Sequence, residues 1–305
     1  WQVPARDIGF VSSVAEGVSM LVESLGWREG DSIVVDLNEY PSVVVPFAVR
    51  RGNYPVLRFA TGTGADRLAA QVDGSTRIIA VSYVSYLNGE RMDLAALRRL
   101  ADSVGALLVV DFTQASGYLP IEASLADFAF CATYKWMLGI TGTAVAYWNS
   151  ARQPSWRPST AGWYSIASGA RPDYRAGVAL RDDAGVFTRG NPSHAGIYAL
   201  CPALDFFAGF GMADVQAHVQ GLTTALHDRL TALGIAASTP RDPARHGASI
   251  CVDTPRNAAI VEAMQAQGIF AWGGRGRVRF SFHGYNGMAE VDRILEAFPP
   301  LLAAG

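Results

Sequence analysis

Apolar residues fall in short unbroken runs, and the gaps between the runs are long enough to hold helices. Ser32 to Leu37 (SIVVDL), Arg77 to Tyr83 (RIIAVSY) and Ala106 to Phe112 (ALLVVDF) are such runs, followed by Phe128 to Thr133 and Gly142 to Trp148 (GTAVAYW). Continuous Val, Ile and Leu predict strands buried on both faces. Asp93 to Val104 (DLAALRRLADSV) has a helical spacing instead. Asp93 is its expected N-cap, since a short carboxylate can take the unpaired first N–H groups. Gly105 is its expected stop, since glycine enters the left-handed region without strain. Strand, helix, strand alternation predicts an α/β fold with a mostly parallel sheet.

The pattern changes after the last run. Ala151 to Asn191 is rich in Arg, Pro, Gly, Ser and aromatics with weak periodicity, and reads as ordered loops and short pieces. Ala195 to Leu233 reads as two or more amphipathic helices stopped at Gly234. Beyond it, the short strands Ala248 to Asp253 and Arg277 to Phe282 alternate with helices over Arg256 to Gln267 and Met288 to Ala297. The expected division is a large domain over 1–205 and a small α+β domain over 206–305.

Composition narrows the functional classes. Half of the 305 residues are hydrophobic, and 25 basic residues balance 27 acidic ones. Near-zero net charge predicts no nucleic-acid partner. No apolar run approaches the ~18 residues of a membrane span, so no membrane role is expected. Cys131, Cys201 and Cys251 are too few and too scattered for a disulfide framework or a metal site, and predict a reducing, cytoplasmic setting.

In a parallel α/β sheet, ligands sit beyond the carboxyl ends of the strands. One strand there ends in Asp111, with Gln114 three residues on, and the next ends in Thr133-Tyr134-Lys135. Lys135 follows the apolar DFAFCAT and is the only lysine in the sequence. Burial lowers a lysine pKa and makes its amine a nucleophile toward an aldehyde. The residues alone equally allow a lysine that snorkels to the surface or pairs with Asp111.

The stretch VVDFTQASGYLPIEASLADFAFCATYKWMLGITGTAVAYW resembles the class V aminotransferase family of pyridoxal-phosphate (PLP) enzymes. GFVSSVAEGVSML, GDSIVVDLNEYPSVVVPF and SYVSYLNGERMDL precede it in the family's order; AGWYSI, GNPSHAGIYAL and RVRFSFHGYN follow. The resemblance covers nearly the whole chain and implies the fold of type I PLP-dependent transferases. It implies Lys135 as the Schiff-base lysine, Asp111 as the carboxylate on the pyridine nitrogen, and Gln114 as the donor to the phenolic oxygen. A carboxylate there keeps the ring protonated and a better electron sink. It implies Tyr40 as the ring stacked on the cofactor and Arg279 as the fork for the substrate carboxylate, with Arg275 and Arg277 as close rivals. The N–H groups of Val14 and Ala15 would face the phosphate, although relatives often have hydroxyl residues there. Tyr134, as in kynureninases, would reach the phosphate, and Trp163 and Asn191 would come from the neighbouring subunit of a homodimer.

Tyr86 stands where many relatives place asparagine near the substrate, which leaves the substrate open. FAWGGRGRVR carries no nucleophilic cysteine ahead of the arginine, and Cys251 in ASICVD reads as a core thiol. Relatives also have a segment ahead of the phosphate loop, so either a longer natural chain or an unusually open site is expected. The expected enzyme acts on an amino acid through a Cα carbanion, as an aminotransferase or lyase. A kynureninase-like hydrolase or an epimerase is the alternative; a non-catalytic PLP-fold binding protein is the alternative from another class.

Overall fold

Burial of the Val, Ile and Leu runs builds the structure outward from one sheet. The computed structural model describes residues 1–49, 55–62, 66–167 and 172–304. In chain order the first unit runs β1 (Ile8–Val11), α1 (Val14–Ser24), β2 (Ser32–Asp36), α2 (Pro41–Ala48), β3 (Val56–Ala60), α3 (Asp66–Ala69), β4 (Thr76–Ser82), α4 (Leu94–Val104), β5 (Leu107–Asp111), β6 (Phe128–Ala132) and β7 (Ala144–Trp148). Then come α5 (His194–Ala208), α6 (Met212–Ala232), β8 (Ser249–Asp253), α7 (Asn257–Gln265), β9 (Trp272–Gly274), β10 (Arg277–Ser281) and α8 (Met288–Ala303).

Among the described residues the large sheet has the order β1-β7-β6-β5-β4-β2-β3. The strands from β3 through β2, β4 and β5 to β6 are parallel. β7 runs antiparallel to both of its neighbours, β6 and β1. The reversal at β7 has a simple cause: the loop 133–143 is too short for the crossover that a parallel partner needs. β5, β6 and β7 are buried almost throughout, as unbroken apolar runs require. Asp93 caps α4 by accepting the Ala96 N–H (2.9 Å), and Gly105 closes it at φ +70°.

Several elements have no clear signal in the sequence. β1 and β3 are edge strands with half-exposed, mixed patterns. α2 is written PSVVVPFA, where β-branched residues and an internal Pro46 argue against a helix, yet Pro41 at its first turn favours one. From 151 to 191 the described backbone holds short 3-10 turns and one isolated bridge, Ile166 to Leu180; residues 168–171 lie outside the described part.

The chain divides into two compact units. The first holds 1–83, 92–116 and 121–206; the second holds 84–91, 117–120 and 207–305. In the second, β8-β10-β9 form an antiparallel sheet, and Leu226, Leu230, Ile250, Val278, Phe280 and Phe298 belong to its core.

One buried ion pair anchors the sheet of the first unit. Asp127 lies at the start of β6 and is 1% exposed. It accepts from Arg98 of α4 (2.6 Å), from Leu108 N (2.8 Å) and from Gln153 (2.8 Å). Removing one member of such a pair strands the other charge. We expect Asp127→Ala to lower unfolding stability by about 3–5 kcal/mol, read from denaturant titrations of the purified protein.

Candidate active site

Four strand ends meet at one edge of the large sheet. Ser82, the last residue of β4, is directly opposite Asp111, the last of β5. β6 ends beside them and delivers Thr133, Tyr134 and Lys135, while β2 delivers Glu39 and Tyr40. Gly17 lets α1 lie close on this part of the sheet: a Cβ there would stand 2.4 Å from the Phe130 ring of β6.

Asp111 is 5% exposed. It accepts the Thr113 N–H (2.8 Å), and the Thr113 hydroxyl also bonds to it. The same hydroxyl oxygen accepts the Ala132 N–H (2.9 Å), which ties the ends of β5 and β6 together. Burial raises the Asp111 carboxyl pKa, against the Thr113 hydrogen bonds and the charge of Lys135, which lower it. Glu39 is a second carboxylate beside it. It accepts Ser82 N (2.7 Å), the Ser82 hydroxyl (2.5 Å) and Tyr40 N (2.6 Å). Burial pushes Glu39 up to about 7 against these bonds, and the Asp111 charge adds to the rise.

Lys135 sits in a tight turn. Thr133 Oγ1 donates to Thr143 O (2.9 Å), Gly139 N donates to Thr133 O (2.8 Å), and Leu138 takes a positive φ of 56°. The Lys135 amine lies 5.1 Å from the centre of the Tyr40 ring and 5.8 Å from that of Tyr134. Gln114 Oε1 accepts the Trp136 indole N–H (2.9 Å), which fixes which end of its amide is the donor. Asp111, Lys135, Tyr40 and Tyr134 are thus neighbours. This arrangement fits a ring whose nitrogen bears a proton: the buried Asp111 carboxylate has the Lys135 charge near it, and an aromatic face stands beside the amine.

The start of α1 offers donors of another kind. Val14 is a core side chain, so only its backbone can reach a ligand. Ser13 Oγ accepts Glu16 N, and the Glu16 carboxylate accepts Ser12 N (2.7 Å). The N–H groups of Val14 and Ala15 are those that a helix leaves unpaired in its first turn. Ser12, Glu16 and Asn191 line a cavity of about 330 Å³. Trp163 is 63% exposed, and its ring packs edge-on against Tyr164 (5.2 Å).

Arg279 and Tyr86 belong to the second unit. Arg279 on β10 donates from Nη1 to the Tyr86 carbonyl, and its guanidinium covers the Trp272 ring at 4.8 Å. Its Nε is buried without a hydrogen-bond partner, and among the described residues it has no acidic partner. Burial lowers its pKa. Cys251, opposite it on β8, is buried, and burial pushes its thiol up to about 11.

Glu39, Ser82 and Thr113 are the polar residues that sequence reasoning passed over. Glu39 stands next to Tyr40 just beyond a strand end, and that position was the one available signal.

The family model described as Aminotransferase class-V matches residues 2–294. A probable cysteine desulfurase of Methanothermobacter thermautotrophicus is 27% identical, over 98% of this chain and 80% of its own length. A probable cysteine desulfurase of Vibrio cholerae is 24% identical, over 96% and 77%. In fold the chain is similar to the apo cysteine desulfurase of Thermococcus onnurineus NA1, with a TM-score of 0.86 and 22% identity over 98% of this chain and 80% of the other.

The raised Glu39 pKa sets a pH dependence. Between the ordinary value of 4.5 and about 7, the unfolded chain has lost this proton and the folded one keeps it. Stability should therefore fall as pH rises through that window and flatten above it, with Glu39 contributing roughly 3 kcal/mol. Denaturant titrations across the window should show a shallower fall in Glu39→Gln.

Proposed function

The chain belongs to the aminotransferase class-V family and is a PLP-dependent enzyme, and from that premise we propose that it acts on an amino acid, with Lys135 as the residue that holds the cofactor. PLP supplies an aldehyde and an electron-withdrawing ring. The observation that carries the reading is the grouping of Lys135, Asp111 and Tyr40 at the carboxyl edge of the sheet.

In this reading Lys135 would hold the cofactor by its amine and would move the proton at the substrate Cα. Asp111, short of a counter-ion apart from Lys135, holds a proton on the ring nitrogen. Gln114 donates to the phenolic oxygen, and Tyr40 stacks on the ring. Tyr134 and the N–H groups of Val14 and Ala15 receive the phosphate. Arg279 binds the α-carboxylate by its planar fork, with Tyr86 beside it.

Aminotransferase or lyase chemistry is the favoured outcome; a kynureninase-like hydrolase or an epimerase shares the same first proton transfer. Neither Cys251 nor Cys131 suits a sulfur-accepting role, because both are buried and burial pushes their thiols up; Cys201 of α5 is exposed. Three free cysteines support a cytoplasmic setting. Among the described residues no single helix is long and apolar enough to cross a membrane.

A homodimer is part of the same reading. Tyr198, Leu204 and Phe206 of α5 are 73%, 46% and 55% exposed, as is Trp163 at 63%. Large apolar groups gathered on one helix favour a protein partner, and Trp163 and Asn191 would serve the neighbouring subunit's cofactor. Light scattering should give twice the chain mass; a monomer that binds PLP tightly would refute it.

Lys135 is the only lysine in the sequence, which makes the central test clean. Borohydride reduction of the PLP-loaded protein should fix the cofactor to the Lys135 peptide in a mass map. Lys135→Ala should show no fixation. Fixation elsewhere, or none in the wild type, would remove the assignment.

A further inference from the structure

One face of β10 is lined with arginines. Val278 and Phe280 point into the core of the second unit, and Arg277 and Arg279 alternate with them. Together with Arg275 they act on one short stretch of the same unit, Tyr86 and Leu87. Arg277 Nη1 donates to Leu87 O (3.3 Å), Arg279 Nη1 donates to Tyr86 O, and the Arg275 guanidinium lies 5.5 Å from the centre of the Tyr86 ring. The nearby acids are already engaged. Asp253 is 3.6 Å from Arg277, and Glu90 is 3.3 Å from Arg245. Among the described residues neither Arg275 nor Arg279 has an acidic partner. Two guanidiniums without counter-ions are therefore anchored on the two ends of one tyrosine.

The backbone singles out Arg275. Arg277 pairs with Gly274 across the hairpin, so Arg275 and Gly276 form its two-residue turn. Both have positive φ, 50° and 74°. That turn favours Asn, Asp or Gly at its first position, because a larger side chain is strained there. Arginine is a poor choice for the turn itself, and strain of this kind gathers where a side chain has a task.

We propose that the substrate is an amino acid with a second acidic group on its side chain. Arg279 takes the α-carboxylate and Arg275 the side-chain anion, with Tyr86 setting the distance between them. The proposal rests on the amino-acid reading given above. A monoanionic amino acid would neutralise only one of the two arginines; an acidic one neutralises both.

The test titrates aspartate, glutamate and alanine into the PLP-loaded protein while cofactor absorbance is followed. Wild type, Arg275→Asn and Arg279→Lys are compared. Asparagine suits the turn, so Arg275→Asn should melt at or above the wild-type temperature. Wild type should bind one of the acidic amino acids at least about tenfold more tightly than alanine, the worth of one charge-assisted hydrogen bond. Arg275→Asn should bring that ratio close to one. Arg279→Lys should weaken all three ligands together. Alanine binding without a preference for either acid, or a preference that survives in Arg275→Asn, overturns the proposal alone. If none of the three perturbs the wild-type spectrum, the amino-acid reading fails and this proposal fails with it.

Discussion

A carboxylate placed where water does not reach must be solvated by the protein, and Asp111 sets that requirement for the whole sheet edge. Burial disfavours its charge. Thr113 answers with its N–H and its hydroxyl, and Lys135 answers with its charge. The Thr113 hydroxyl oxygen also accepts from Ala132 N, so the same side chain ties the ends of β5 and β6 together. The turn that carries Lys135 starts from that point. Asp111 thus couples sheet register to the position of the amine. Glu39 lies beside Asp111, keeps its proton up to about pH 7, and is itself held by the neighbouring strand end through Ser82.

The second unit obeys a different constraint. A strand that buries every other residue must turn the remainder the other way. On β10 the buried set is Val278 and Phe280, so Arg277 and Arg279 fall together on the opposite side. Their chemistry then diverges by partner. Arg277 has a carbonyl and the Asp253 carboxylate, whereas Arg279 has a carbonyl and an aromatic face. The alternation R-G-R-V-R is visible in the sequence, but the partners that separate these arginines are not.

Elements were legible where the physical signal was local and strong. β2, β4, β5 and β6 announce themselves because a strand buried on both faces can be nothing but apolar. α4 does so through its spacing, its Asp93 cap and its Gly105 stop. β1, β3 and α2 were not legible. Edge strands are half solvated and need no strict pattern, and the Val run of α2 has strand propensity that tertiary packing overrides.

By itself the sequence determined a parallel α/β core, a single lysine just past an apolar strand, and an aspartate ending the strand before it. Those facts are local, written in runs of a few residues. Only the tertiary structure decided that β7 turns back antiparallel, that Glu39 joins Asp111 at the strand ends, and that segments 84–91 and 117–120 belong to the second unit. The physical reason is that a charge is defined by its surroundings. Burial, hydrogen-bond donors and counter-ions come from residues distant in sequence, and no pattern along the chain records which of them will meet.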